Sequence, residues 1–316
     1  MPRIVIGVPT YNGAERLGWL LKSIALRTPM LASGDVRIVV VDDGSPLVGA
    51  TVAAHRGWVG SLPIDLVEHG TNRGISAGWN TAARKHDCEI VVLANDDVIV
   101  PSGGWLEALV YALDHSPRVG VVGASWHAFT RDDVPGLLSS ADSDGAVVPR
   151  EPRGQDGVAA PNAARRQMYE DVWPGRVMCP TGQLFAFRRT DFEAVGGFDE
   201  RMKSFFEESS FGTAMAAERN MIGLQLTWPF CWHMWSETFR TSPELRASER
   251  METSRDVYRA KWGVPGDVPR GREFDYTNPK FLGPIGDVEV GFLRRGGAAW
   301  QGVMRQDGTL VDGRQL

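Results

Sequence analysis

Four short apolar runs, each ending in polar turn formers, fill the first hundred residues and constrain the fold more than any other feature. Ile4 to Val8 stops at Pro9-Thr10-Tyr11-Asn12, and Val36 to Val41 stops at Asp42-Asp43-Gly44-Ser45. Ile64 to Glu68 leads into Asn72-Arg73-Gly74-Ile75-Ser76-Ala77-Gly78-Trp79-Asn80, and Ile90 to Ala94 into Asn95-Asp96-Asp97. Runs this short and largely apolar read as strands of a parallel sheet, buried on both faces where they are continuous, as in Ile90 to Ala94. Helical periodicity between them, as in Leu17, Leu20, Leu21 and Ile24, makes the alternation βα and predicts a Rossmann-like half. In such sheets ligands bind beyond the strand C-termini, where every polar loop in this set falls.

Later segments continue the pattern. Trp105 to Leu113 predicts a helix, Val119 to Ala124 and Gln183 to Arg188 strands, Leu224 to Trp228 a strand, and Leu245 to Trp262 a helix. Asn12 with Glu15, and Thr190 with Glu193, have capping-box spacing, and Gly196-Gly197 reads as a helix stop. Periodicity fails from about 135 to 176, a stretch too long for an ordinary connection, which predicts a binding loop or lid. The expected organisation is one domain over 1–262, with a nucleotide-binding half (1–124), the loop (135–176) and an acceptor and catalytic half (177–262). A Gly-rich extension with short β-like pieces covers 263–316.

Composition narrows function by exclusion. A formal net charge of −5 argues against a broad nucleic-acid-binding face. No apolar stretch reaches the roughly 20 residues needed to span a bilayer, and no signal-peptide pattern precedes the first strand. Cytosolic residence is the expectation, with peripheral membrane association compatible. Cys88, Cys179 and Cys231 are widely spaced and lack a CxxC pair, so they read as reduced and structural.

Two acidic pairs stand out. Asp96-Asp97 closes a strand, where adjacent carboxylates call for a cation. Glu207-Glu208 precedes a helix through Phe211, Ala214 and Met215, where the macrodipole alone would favour acids. His233 lies among Phe230, Trp232 and Trp235, as either a core or rim histidine or a ligand. Trp173, Trp228, Trp232 and Trp235 could give one or two faces to a sugar, or fill the core.

Taken in order, PTYN (9–12), VDDGS (41–45), NRGISAGWN (72–80), NDD (95–97), TGQLFAFRR (181–189), FDE (198–200), FFEE (205–208) and His233 resemble the family-2 inverting glycosyltransferases of GT-A fold. The likeness is strongest to rhamnosyltransferase-like members and covers about residues 3–262. It implies an α/β, mostly parallel GT-A sheet flanked by helices, with a helical and β-rich extension. It implies that Pro9, Tyr11, Asn12, Asp43, Asn72, Arg73, Gly74, Ser76, Asn80 and Asp96 bind a UDP, GDP or TDP sugar. Asp97 and His233 would hold Mn²⁺ or Mg²⁺, which neutralises a leaving diphosphate. Glu208, or its neighbour Glu207, would take the acceptor hydroxyl's proton. The acceptor would be a glycan or glycoconjugate, a hydroxylated nucleic-acid base being compatible, and a homo-oligomer is equally compatible.

Two other classes fit parts of this pattern. A sugar-phosphate nucleotidyltransferase also uses two acids and a metal, but PTYNGAER is a poor triphosphate loop. A catalytically inactive nucleotide-sugar-binding module would be free to lose Asp97, Glu208 and His233, all of which are present.

Overall fold

The computed structural model describes residues 1–58, 61–100, 103–115, 117–139, 175–177, 180, 182–234, 237–262, 288–293, 299–304 and 310–312. The first half runs β1 (Ile4–Thr10), α1 (Ala14–Arg27), β2 (Val36–Asp42), α2 (Val48–Arg56), β3 (Ile64–Glu68), α3 (Ile75–Arg84), β4 (Ile90–Ala94) and β5 (Val98–Ile99). Then come α4 (Trp105–His115), β6 (Val119–Ala128), α5 (Val134–Leu137), β7 (Gly175–Val177), β8 (Leu184–Arg188), α6 (Arg189–Ala194) and α7 (Glu207–Arg219). β9 (Ile222–His233), α8 (Glu237–Thr241) and α9 (Ala247–Trp262) follow. A separate antiparallel sheet joins β10 (Val288–Leu293), β11 (Ala299–Met304) and β12 (Leu310–Asp312).

The main sheet has the order β3-β2-β1-β4-β8-β6-β9, with β5 and β7 both on β9. β1 to β4, β6 and β9 point one way, and β8 is reversed between β4 and β6. The expected α/β sheet, mostly parallel and flanked by helices, is therefore present. Both halves of the expected domain share this one sheet.

Each central strand divides its side chains between two cores, which is why its sequence is apolar without alternation. Ile4, Ile6 and Val8 of β1 join Leu17, Leu20 and Ile24 of α1 and Leu106, Leu109 and Leu113 of α4 on one face. Val5 faces the other side with Val39, Val41, Val91 and Leu93, beneath Trp79 of α3. There an aromatic cluster of Trp79, Phe185, Phe187, Phe192, Phe198 and Phe211 forms a floor under α7.

Several local expectations differ from the structure. Gly13, not Asn12, is the N-cap of α1, without a side-chain cap bond. Asn12 instead takes φ 49°, and its N–H donates to Ser45 Oγ at 2.9 Å. Helix α6 begins at Arg189, so Thr190 lies inside it, while Glu193 reaches Arg84 and Arg189. Its stop is as expected: Gly196 and Gly197 have φ 80° and 79°. A capping box does occur at Thr130 and Asp133, ahead of α5. The expected 135–176 loop lies outside the described residues except at 135–139 and β7.

The cysteines described, Cys88 and Cys231, are free thiols, and burial pushes both pKa values up, Cys88 to about 11. A raised pKa disfavours the nucleophilic thiolate at neutral pH. Cys179 lies outside the described residues.

Candidate active site

The C-terminal ends of β1 to β4 form one polar edge. Thr10, Asp42, Asp43, Asp96 and Asp97 are all buried there. Buried carboxylates persist only when paired or bonded, so the partner of each indicates its role.

Asp97 faces His233, whose Nε2 lies 3.2 Å from Asp97 Oδ1. The strand register produces this meeting. After a ladder irregularity beyond Leu226, β9 runs on to pair Val98 with His233, and Met234 N–H donates to the Asp97 carbonyl at 3.0 Å. Trp126 packs edge-on against the imidazole at 5.2 Å. His233 Nδ1 is buried without a hydrogen-bond partner among the described residues. Burial raises the Asp97 pKa, but His233 and Arg16 outweigh it and hold the group below its ordinary value.

This pair fits a divalent cation. A carboxylate oxygen and an imidazole nitrogen 3.2 Å apart match neighbouring corners of an octahedral ion with bonds of about 2.1 Å. Among the described residues no group of three or more His, Cys, Asp or Glu gathers to hold a metal. Asp97→Asn is expected to lower donor affinity in Mn²⁺ roughly tenfold or more, without effect in chelator, as read by titration calorimetry.

Asp96 has different company. Its Oδ2 accepts from Thr10 Oγ1 at 2.6 Å, and Arg16 Nε and Nη2 each lie 3.3 Å from its oxygens. Arg16 is 3% exposed and also donates to Tyr11 O and Thr238 Oγ1. Burial, reinforced by Asp97, leaves the Asp96 pKa raised despite Arg16 and Thr10. The carboxylate expected on the donor's hydroxyls is thus held inside by Thr10 and Arg16.

Asp43 organises the loop after β3. Its Oδ1 accepts from Arg73 N–H at 3.0 Å and sits 2.8 Å from His69 Nδ1, and Oδ2 accepts from Gly74 N–H at 2.8 Å. With its proton on Nδ1, His69 also accepts the Thr81 hydroxyl at Nε2. Asn72 donates to the Asp43 carbonyl at 3.2 Å and accepts from Arg250 Nη2 at 2.7 Å. Tyr11 donates to Glu244 at 3.1 Å. Pro9 is buried under α3, where a Cβ on Gly78 would come within 2.7 Å of it.

The rest of the 72–80 segment holds the chain that leads into α7. Ser76, fully buried, donates to the Met202 carbonyl at 2.5 Å. Asn80 exchanges bonds with the Phe198 backbone at 2.9 Å and donates to Glu200, which also receives Arg73 at 2.8 Å. Gly74 has φ 97°, and an added Cβ would lie 2.6 Å from Lys203 Cα, so both conformation and space exclude a side chain. Gly74→Ala is expected to cost about 1–3 kcal/mol, seen as a lower midpoint in urea.

Phe205 and Phe206 follow with φ 68° and 63°, two non-glycine residues in the left-handed region immediately before α7. Such strain persists only where the surroundings enforce it, here by Phe205 stacking on Phe239 and Phe206 leaning on Tyr258. The turn sets Glu207 inward, 6% exposed, and leaves Glu208 partly exposed. Glu208 runs along the Gly182 backbone, where a Cβ would be 3.3 Å from its Cγ. The next residue, Gln183, accepts from Asn95 N–H at 2.9 Å. One turn therefore joins the Glu208 side of the cleft to the Asn95-Asp97 side.

Sequence reasoning did not single out Arg16, His69, Gln183 or Arg250. Arg16 had a legible signal, a cation beside the apolar stripe of α1, whereas Arg250 sits on a polar helix among other arginines. Of the four tryptophans, Trp232 is 1% exposed and packs with Ile99, Phe129 and Leu137, so it fills core rather than facing a sugar. Trp173, Trp235 and the Trp228 side chain lie outside the described residues.

A mostly parallel sheet with β8 reversed at its centre and an acid-and-histidine pair beyond its C-terminal edge defines a GT-A-type α/β protein. The chain belongs to glycosyl transferase family 2, whose pattern matches residues 5–196. Its fold is similar to that of the mannosyltransferase PcManGT from Pyrobaculum calidifontis, solved in complex with GDP-Man and Mn2+. Identity there is 23% and the TM-score 0.54, over 85% of this chain and 66% of that one. TarS 1-349 of S. aureus in complex with UDP is 18% identical with a TM-score of 0.51, over 88% and 74%. The chain thus spans just under two thirds of PcManGT. No curated protein matches it. No described helix is long and apolar enough to cross a membrane.

Proposed function

We propose that the chain is an inverting glycosyltransferase that moves a sugar from a UDP, GDP or TDP donor to an acceptor hydroxyl in one displacement. The observation that carries this reading is the Gly182-Gln183 turn, which seats Glu208 across from the Asn95-Asp97 edge. Residues 1–262 form the catalytic unit in this reading, and 263–316 are an extension to it.

The residues divide the work by position. Tyr11, Asn12, Asp43 and Asn72 surround the nucleoside, with Arg73 and Gly74 holding Asp43 in place. Asp97 and His233 hold Mn²⁺ or Mg²⁺, which when bound neutralises the diphosphate as it leaves. Asp96, bound by Arg16, keeps the loop that carries Asp97 at its depth. Glu208 takes the acceptor proton as its oxygen attacks from the face opposite the diphosphate, and Glu207, buried beneath it, fixes the first turn of α7.

The acceptor is a glycan or glycoconjugate hydroxyl on this reading. A panel of UDP, GDP and TDP sugars with Mn²⁺, assayed for metal-dependent donor binding and for transfer or slow donor hydrolysis, tests it. Binding of one donor with anomeric inversion in the product is expected. Release of pyrophosphate from a nucleoside triphosphate would instead favour the nucleotidyltransferase class, and binding without turnover an inactive module.

A further inference from the structure

We infer that Arg250, on α9 and outside the family-matched residues, reads the nucleobase of the donor together with Asp43, selecting bases that present an N–H beside a keto oxygen. The inference rests on the nucleotide-sugar reading above and names the part of the donor that α9 recognises.

The position of Arg250 is defined by its contacts. Its Nη2 donates to Asn72 Oδ1 at 2.7 Å, and Asn72 in turn donates to the Asp43 carbonyl at 3.2 Å. Glu244, just ahead of α9, accepts from Tyr11. The 244–250 segment therefore closes over the ends of β1, β2 and β3, away from Asp97 and His233 at the end of β4 and β9. Placement at this end favours a nucleoside contact over a diphosphate contact.

Arg250 is partly buried, and no carboxylate forms an ion pair with it among the described residues. Loss of hydration lowers its pKa, with Asp43 and Tyr11 pulling the other way, but the guanidinium stays charged. A partly buried cation with one neutral hydrogen-bond partner among the described residues has donors left for a ligand. Asp43, the carboxylate whose charge acts on Arg250, is largely engaged. Three of about four acceptor positions on that carboxylate are taken by His69, Arg73 N–H and Gly74 N–H. One acceptor position on Asp43 remains, and the Arg250 donors are tied to the same residue through Asn72, which bonds the Asp43 backbone carbonyl.

That pairing complements the imide or lactam edge of uracil, thymine and guanine, where a ring N–H adjoins C=O. Cytosine and adenine place an unprotonated ring nitrogen beside an amino group, so the same pair would set acceptor against acceptor and donor against donor. Arginine, which only donates, is well suited to a keto oxygen.

The test is calorimetric binding of UDP, TDP, GDP, CDP and ADP with Mn²⁺ to the wild type, Arg250→Gln and Arg250→Lys. Wild type is expected to bind at least one keto nucleotide roughly tenfold or more tighter than CDP and ADP, the size of one good base-edge contact. Arg250→Gln should lose roughly that factor for the keto nucleotide alone, collapsing the selectivity. Arg250→Lys should keep part of it. An equal loss for all five nucleotides would make Arg250 a phosphate ligand and overturn the inference, as would unchanged selectivity. If Arg250→Gln binds nothing, the ratio is read on Arg250→Lys, where retained keto preference supports the inference and equal affinities overturn it. A wild type that prefers CDP or ADP overturns the base reading while leaving a glycosyltransferase intact. A wild type that binds none of the five counts against the proposed function itself.

Discussion

Glu208→Gln is expected to lower transfer by roughly 10²- to 10⁴-fold, the range for loss of a positioned general base. Donor affinity should stay within about twofold of wild type, because the substitution removes a proton acceptor and little volume. The two readouts together separate chemistry from structure: a parallel fall in donor binding would mean that Glu208 supports the fold of the cleft. Glu207→Gln is the internal comparison. That side chain is buried under the first turn of α7, so its effect should appear in the melting midpoint more than in the rate.

The largest effect on stability is expected at Arg16. Arg16→Met leaves Asp96, 5% exposed, with Thr10 as its remaining side-chain partner. Breaking a buried pair from one side strands the other charge, which costs about 3–5 kcal/mol, a large part of the stability of an ordinary domain. Chemical denaturation checks the figure, and the double variant Arg16→Met with Asp96→Asn supplies the control. Since the stranded charge is gone in the double variant, it should recover much of the loss, giving a coupling of about 1–3 kcal/mol in the cycle. An additive double variant would show that the pair contributes little as a pair.

Strand positions in the first half were readable to within a residue or two. Ile64–Glu68 and Ile90–Ala94 have the bounds expected, and for Ile90–Ala94 the reason is that a strand buried on both faces tolerates no polar residue until the sheet edge. Helix caps were less readable. Asn12 has the residue type and spacing of a cap, but its backbone is committed to Ser45 across the cleft, and a left-handed turn cannot also cap α1. The reversed β8 was not legible either, since Leu184 to Arg188 looks the same whichever way it pairs.

The candidate site divides in the same manner. Asp97, His233 and Glu208 carry chemistry that residue type and order suggest. Ser76 and Asn80, expected near the donor, bond to the backbone at Met202 and Phe198 and hold the approach to α7. Their polar side chains are equally suited to a ligand or to a buried carbonyl, and only the neighbouring chain decides between them.

By itself, then, the sequence determined the α/β class, the edge of the sheet that carries function and the family, because these follow from local periodicity and from ordered motifs. The tertiary structure decided which polar residues bond to distant parts of the protein. It paired Asp96 with Arg16 across 80 residues, Asp97 with His233 across 136 and Asn72 with Arg250 across 178. Such pairings depend on strand register and helix packing between distant segments, and no local pattern encodes them.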